Sequence, residues 1–214
     1  MKKLLALATV SISLFAANAS ADTITYSAVT ANSASWAQLL TLPKFNIAGA
    51  TLTGAFLTFN ATLSSSAGQI SNPGNSGNVS ADAIATVNYY ANGASSSTNL
   101  GLAPGSLGLT ENLFNGNLGS GNSNPLAGVN QTGSLYSALI DPNFYSSLQG
   151  IGNVLVYANG NSSINTTGGA STSGATTALN GQLAITYDYV PEPGTLALLG
   201  ITLLGLGLRS KSKT

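Results

Sequence analysis

Apolar and polar residues alternate with period two through most of the middle of the chain. Ala55, Leu57, Phe59, Ala61 and Leu63 form one row, and Phe56, Thr58, Asn60 and Thr62 the other. Ala83, Ala85, Val87 and Tyr89 alternate in the same way with Ile84, Thr86, Asn88 and Tyr90. Leu183, Ile185, Tyr187 and Tyr189 alternate with Gln182, Ala184, Thr186 and Asp188. Such patterns predict strands with one row on a core face and the other towards solvent. Thr23–Thr30, Trp36–Leu42 and Ile151–Ala158 are further strand candidates. Asn72-Pro73-Gly74, Asn92-Gly93, Asn159-Gly160 and Asn180-Gly181 read as the turns between strands. Many short strands with such turns predict an all-β fold, an antiparallel β-sandwich or jelly roll. Residues 99–133, rich in Gly, Asn and Leu, have no clear period. Leu135–Leu139 and Asn143–Leu148 read as short helical turns, and Ser162–Thr177 as a Ser/Thr/Gly-rich loop or poorly ordered edge.

The pattern breaks at both ends. Lys2 and Lys3 precede an apolar block, Leu4–Phe15, and then the small residues Ala17-Asn18-Ala19-Ser20-Ala21. A basic start, an apolar run and a small-x-small site in that order describe a secretory signal peptide over residues 1–21. Ala19 and Ala21 take the −3 and −1 positions, so cleavage is expected before Asp22. At the other end, Val190-Pro191-Glu192-Pro193-Gly194 leads into Thr195–Leu208, which carries no charge, and then into Arg209, Lys211 and Lys213. Fourteen helical residues span roughly 21 Å, short of the ~30 Å hydrocarbon core. Thinning and snorkelling hold such a short span. The basic tail is expected to stay cytoplasmic, which makes 195–208 a short transmembrane helix. Pro191 and Pro193 are expected to stop the preceding strand and to keep the junction free of ladder hydrogen bonds.

Composition narrows what the body, residues 22–190, does. Only 6% of the chain is charged, against about 25% in an ordinary soluble domain. The bases gather at the ends, which leaves Lys44 alone among Asp22, Asp82, Glu111, Asp141 and Asp188. Lys44 follows Leu42-Pro43 and is expected at a strand end with its head in water. Six bases in all make no nucleic-acid footprint. Cysteine and histidine are both absent. Their absence excludes a disulfide framework, thiolate or imidazole metal ligands, and Cys–His or Ser–His–Asp catalysis.

The C-terminal order of Pro-Glu-Pro, short apolar helix and basic end resembles the PEP-CTERM sorting domain of Gram-negative bacteria, over about residues 190–213. Val190, Pro191, Glu192 and Pro193 match its motif, and Arg209, Lys211 and Lys213 its basic end, although here the bases alternate with Ser. The resemblance implies recognition by an exosortase, a membrane-embedded cysteine transpeptidase. It also implies an inner-membrane precursor and later delivery to the cell surface or matrix. The body resembles choice-of-anchor E domains. Trp36–Asn46 matches their opening, Leu52–Leu63 the long strand that follows, and Gly150–Val154 and Thr186–Tyr189 their later strands. That family implies no activity.

Catalytic candidates are few. A glycosidase needs two carboxylates facing each other across a cleft, and nothing in the spacing pairs Asp82, Glu111 and Asp141. Asp141-Pro142-Asn143 is too little for a calcium site. Thr23-Ile24-Thr25 and Thr51-Leu52-Thr53 are isolated Thr pairs, and Thr is an ordinary strand residue. Trp36, Tyr89, Tyr90, Tyr136 and Tyr145 are candidates either for the core or for stacking on sugar rings. Three readings follow. The first is a surface or matrix protein without enzymatic activity or cofactor, associated with exopolysaccharide and biofilm. The second is a carbohydrate-binding module, which needs exposed aromatics on one sheet face. The third is a hydrolase, which needs two carboxylates in one cleft.

Overall fold

A computed structural model describes residues 20–192. The signal segment through Ala19, and Pro193 with the apolar run and Arg209, Lys211 and Lys213, lie outside the described residues. Eleven strands follow one another: β1 (Asp22–Val29), β2 (Ser35–Pro43), β3 (Ala50–Ser65), β4 (Gly68–Ser71), β5 (Gly77–Tyr90), β6 (Gly105–Leu118), β7 (Ser123–Leu126), β8 (Val129–Leu139), β9 (Asn153–Thr167), β10 (Ser171–Ser173) and β11 (Thr177–Pro191). A 3-10 turn, Ala94–Ser96, follows β5. A second, Pro142–Phe144, leads into the short helix α1 (Tyr145–Leu148) between β8 and β9. The strands form two four-stranded sheets, ordered β1-β11-β3-β8 and β2-β9-β5-β6, and a three-stranded sheet ordered β10-β4-β7. The registered pairs are antiparallel, so the fold is all-β.

The described residues divide into two compact units. The larger holds residues 25–46 and 55–186, and the smaller holds residues 20–24, 47–54 and 187–192.

In the larger unit the expected core rows point inwards. Leu57, Phe59, Ala61 and Leu63 from β3 are buried, as are Leu183 and Ile185 from β11. The second sheet answers with Trp36, Leu40 and Leu42 from β2, Ala85, Val87 and Tyr89 from β5, and Val154 and Val156 from β9. The rings of Phe59 and Tyr89 stack across the two sheets with centroids 6.1 Å apart. The indole of Trp36 donates to the carbonyl of Leu179 at 2.9 Å, so its one polar atom is satisfied where the ring is buried. The third sheet is built from the β3–β5, β6–β8 and β9–β11 connections. It has its own core of Ile70, Val79, Ala81, Leu118 and Leu126.

Three expectations are corrected, and one unassigned stretch is placed. Asn159-Gly160 and Asn180-Gly181 are not turns but lie inside β9 and β11. A Cβ on Gly160 would stand 2.6 Å from the Trp36 ring, and one on Gly181 2.6 Å from Phe59. These glycines let a strand approach a large ring. Residues 99–133 hold β6, β7 and the start of β8. Strands β6 and β8 close one edge of their sheets, so partial cover blurs the alternation. Leu135–Leu139 is not helical; it pairs with β3, Phe56 opposite Leu139. Ser162–Thr177 is largely strand, because β9 runs to Thr167 and β10 follows. Hydroxyl pairs such as Ser80–Thr167 at 2.8 Å and Ser71–Ser171 at 2.9 Å link these polar strands.

The turns at Asn72-Pro73-Gly74 and Asn92-Gly93 form as expected. Asn72 and Asn92 accept from the backbone N–H of Gly74 and Ala94, each at 3.1 Å. The helical turns expected over Asn143–Leu148 are present, opened by Asp141, whose carboxylate accepts from the Asn143 N–H at 2.8 Å. Lys44 directly follows β2 and is half-buried.

Candidate functional sites: the sorting junction and two polar surfaces

The smaller unit holds the part of the candidate sorting motif that the structure describes. Tyr187 and Leu52 are buried in it, Val190 is half-buried, and Pro191 and Glu192 are exposed. The Thr53 hydroxyl donates to the Asp188 carbonyl at 3.1 Å, and the Glu192 backbone N–H donates to the Gly49 carbonyl at 2.6 Å. Gly49 has φ +67, in the left-handed region that glycine reaches without a Cβ clash. The last stretch of β11 therefore lies along the start of β3. On the opposite edge the Tyr189 hydroxyl donates to the Asp22 carboxylate at 3.1 Å. Asp22, the first residue after the expected signal cleavage site, is also the first residue of β1. Ala21, just before it, is exposed.

The strand stops at Pro191, as expected of the prolines, but the junction is not free of backbone hydrogen bonds. Strand β11 continues through Pro191, and Glu192 still makes a backbone bond. Successive residues of an antiparallel strand bond alternately to the two sides. Glu192 faces β3, so the position of Pro191 faces away from it, and its missing N–H costs the β3–β11 ladder nothing.

In the larger unit the outer face of the second sheet is polar and charge-poor. Its cross-strand rows are set by register. Leu39, Tyr157 and Tyr90 lie side by side, followed by Ala37, Asn159 and Asn88, then Ser35, Asn161 and Thr86. The Tyr90 and Tyr157 rings are 5.8 Å apart and tilted by 45°, both half-buried. The Asn88 Nδ2 donates to the Asn159 side-chain Oδ1 at 3.1 Å. Further along the face, the Asn112 amide donates to the Asp82 carboxylate at 2.7 Å. The remaining aromatic candidates divide. Trp36 and Tyr89 are core residues and Tyr145 is half-buried, while the Tyr136 side chain lies outside the description.

A second polar surface is an open groove of about 440 Å³ on the first sheet, lined by Thr30, Asn32, Asn60, Thr62, Asn180 and Gln182 among others. Thr62 meets the Thr132 hydroxyl at 3.0 Å on its floor.

The acidic candidates do not converge. Glu111 stands opposite Ala83, on the side of the sheet opposite to Asp82, which pairs with Asn112. Asp141 caps a turn. Among the described residues no three acidic side chains gather as a metal site would need. Among the described residues, too, no helix is long and apolar enough to cross a membrane; the expected spanning segment lies beyond them.

Residues 190–212 match the model of the PEP-CTERM protein-sorting motif. The chain thus carries the signal of an exported, membrane-anchored precursor with an exosortase as processing partner. No curated protein matches it. Among solved structures it is similar to a chain of the T13 IBDV viral particle, at 14% identity and a TM-score of 0.23. It is also similar to a chain of infectious bursal disease virus strain Gx, at 10% identity and a TM-score of 0.19. The matches cover 80% and 79% of this chain but only 36% of each viral chain.

Proposed function

We propose that the protein is a non-enzymatic component of the cell surface or extracellular matrix of an exopolysaccharide-producing Gram-negative bacterium. In this reading a signal peptide ending at Ala21 exports the body. The run Leu196–Leu208 then holds the precursor in the inner membrane, and Arg209, Lys211 and Lys213 stay in the cytoplasm. The exosortase acts at Val190–Pro193. The observation that carries the reading is the sorting motif at residues 190–212, placed where a β body ends. Replacing Glu192 with Gln, or Pro191 and Pro193 with Ala, tests it. The variants should leave the body folded and trap the full-length chain in the inner membrane. Variants that still lose the tail and reach the surface normally would refute recognition through this motif.

The body itself reads as a jelly roll of the choice-of-anchor E kind. Its two sheet orders, β1-β11-β3-β8 and β2-β9-β5-β6, use eight strands in the manner of two interleaved Greek keys. A second reading for the body is attachment of a neutral polysaccharide to the outer face of the second sheet. The Tyr90–Tyr157 pair beside the Asn88–Asn159 amides favours it. Aromatic faces take the apolar side of a sugar ring, and amides satisfy its hydroxyls.

A further inference from the structure

We propose that the folded body withholds its own sorting motif: the exosortase engages Val190–Glu192 only when residues 188–192 have peeled away from Gly49 and Thr53. This rests on the exosortase reading and adds a rate-setting step to it. A processing enzyme needs its substrate strand free of other partners. Segments that are hydrogen-bonded into a sheet are cut from their locally opened state, at a rate set by the population of that state when reclosing is fast.

The junction is built to hold that population down. Glu192 is tied to Gly49 through a 2.6 Å backbone bond, and Asp188 to Thr53 through a 3.1 Å bond. Tyr189 is tied to Asp22 on the other edge. The Asp188 side chain also fills the space over Gly54, where a Cβ would meet its carboxylate oxygen at 2.7 Å. The chain has no slack between the last of these ties and the motif, because the ties include motif residue Glu192 itself. Release from the membrane is therefore timed by the stability of one strand end and not by the folding of the whole body.

Two variants of the full-length precursor test this in cells that carry an exosortase, by following loss of the tail in a pulse-chase. A short glycine–serine insertion between Tyr189 and Val190, near the end of β11, separates motif from sheet and leaves residues 22–189 unchanged in sequence. Gly49→Ala places a Cβ in open space but strains a backbone at φ +67, which loosens the acceptor of Glu192. Each should speed tail loss by about tenfold, the factor carried by roughly one net hydrogen bond, while resistance of the body to added protease stays unchanged. Tail loss from the insertion variant at the wild-type rate or slower would overturn the proposal. If the wild-type precursor shows no exosortase-dependent loss, the sorting reading falls, and the gating proposal with it.

Discussion

Glu192 and Gly49 are joined by a backbone hydrogen bond of 2.6 Å, so the motif that addresses the protein is continuous with the sheet that forms its body. A sorting signal on a loose linker would be processed independently of the domain before it. Here the same strand carries the buried Tyr187, the tie to Thr53 and the first two motif residues, Val190 and Pro191. Changes at the Glu192–Gly49 and Asp188–Thr53 contacts are therefore expected to alter processing.

Gly160 shows what close packing demands. A methyl group there would sit 2.6 Å from the Trp36 ring and 2.8 Å from Leu179, both buried. Gly160→Ala should cost about 1–3 kcal/mol through overpacking, read as a lower midpoint in urea with an unchanged slope.

Asn72 is a buried amide with every role filled. Its Nδ2 donates to the carbonyls of Asn75 at 2.8 Å and Leu118 at 3.0 Å, and its Oδ1 accepts from Gly74. Asn72→Ala removes these bonds and strands the Leu118 carbonyl beside the small core under the third sheet. A loss of about 2 kcal/mol is expected, with earlier proteolysis in residues 66–76 than elsewhere.

Gln131 points the other way. Its Oε1 is a buried side-chain acceptor with no hydrogen-bond partner among the described residues, on β8 opposite the core residue Leu63. Gln131→Leu removes an unsatisfied polar atom and should raise stability by about 1 kcal/mol. A fall in thermal midpoint would contradict this.

The alternating rows of β3, β5 and β11 were legible in the sequence because each is a central strand covered on one face by apolar neighbours. The edge strands β6 and β8 were not, since partial burial leaves no strict period. Asn159-Gly160 and Asn180-Gly181 misled because a turn and a close ring contact ask for the same small residue. The motif Val190–Pro193 was legible as local chemistry. Its attachment to Gly49 was not, because a bond between residues so far apart in the chain depends on register. The outer face with Tyr90 and Tyr157 was likewise hidden: both tyrosines are visible as strand residues, but only the β5–β9 register brings them together.

That face gives a prediction for the second reading. Replacing Tyr90 and Tyr157 together with Ala removes the stacking surface and leaves the inner core untouched. Retention of the protein on neutral matrix polysaccharide should fall at least tenfold, with the thermal midpoint changed by only a few degrees. Undiminished retention would exclude this face as the attachment site.

In the proposed function the chain is trimmed at both ends on its way to the surface. Intact-mass measurement of the protein recovered from the surface fraction of native cells tests it most directly. The expected species begins at Asp22 and lacks residues 196–214, with the untrimmed tail confined to the inner-membrane fraction. A surface species that retains Arg209, Lys211 and Lys213 would contradict it.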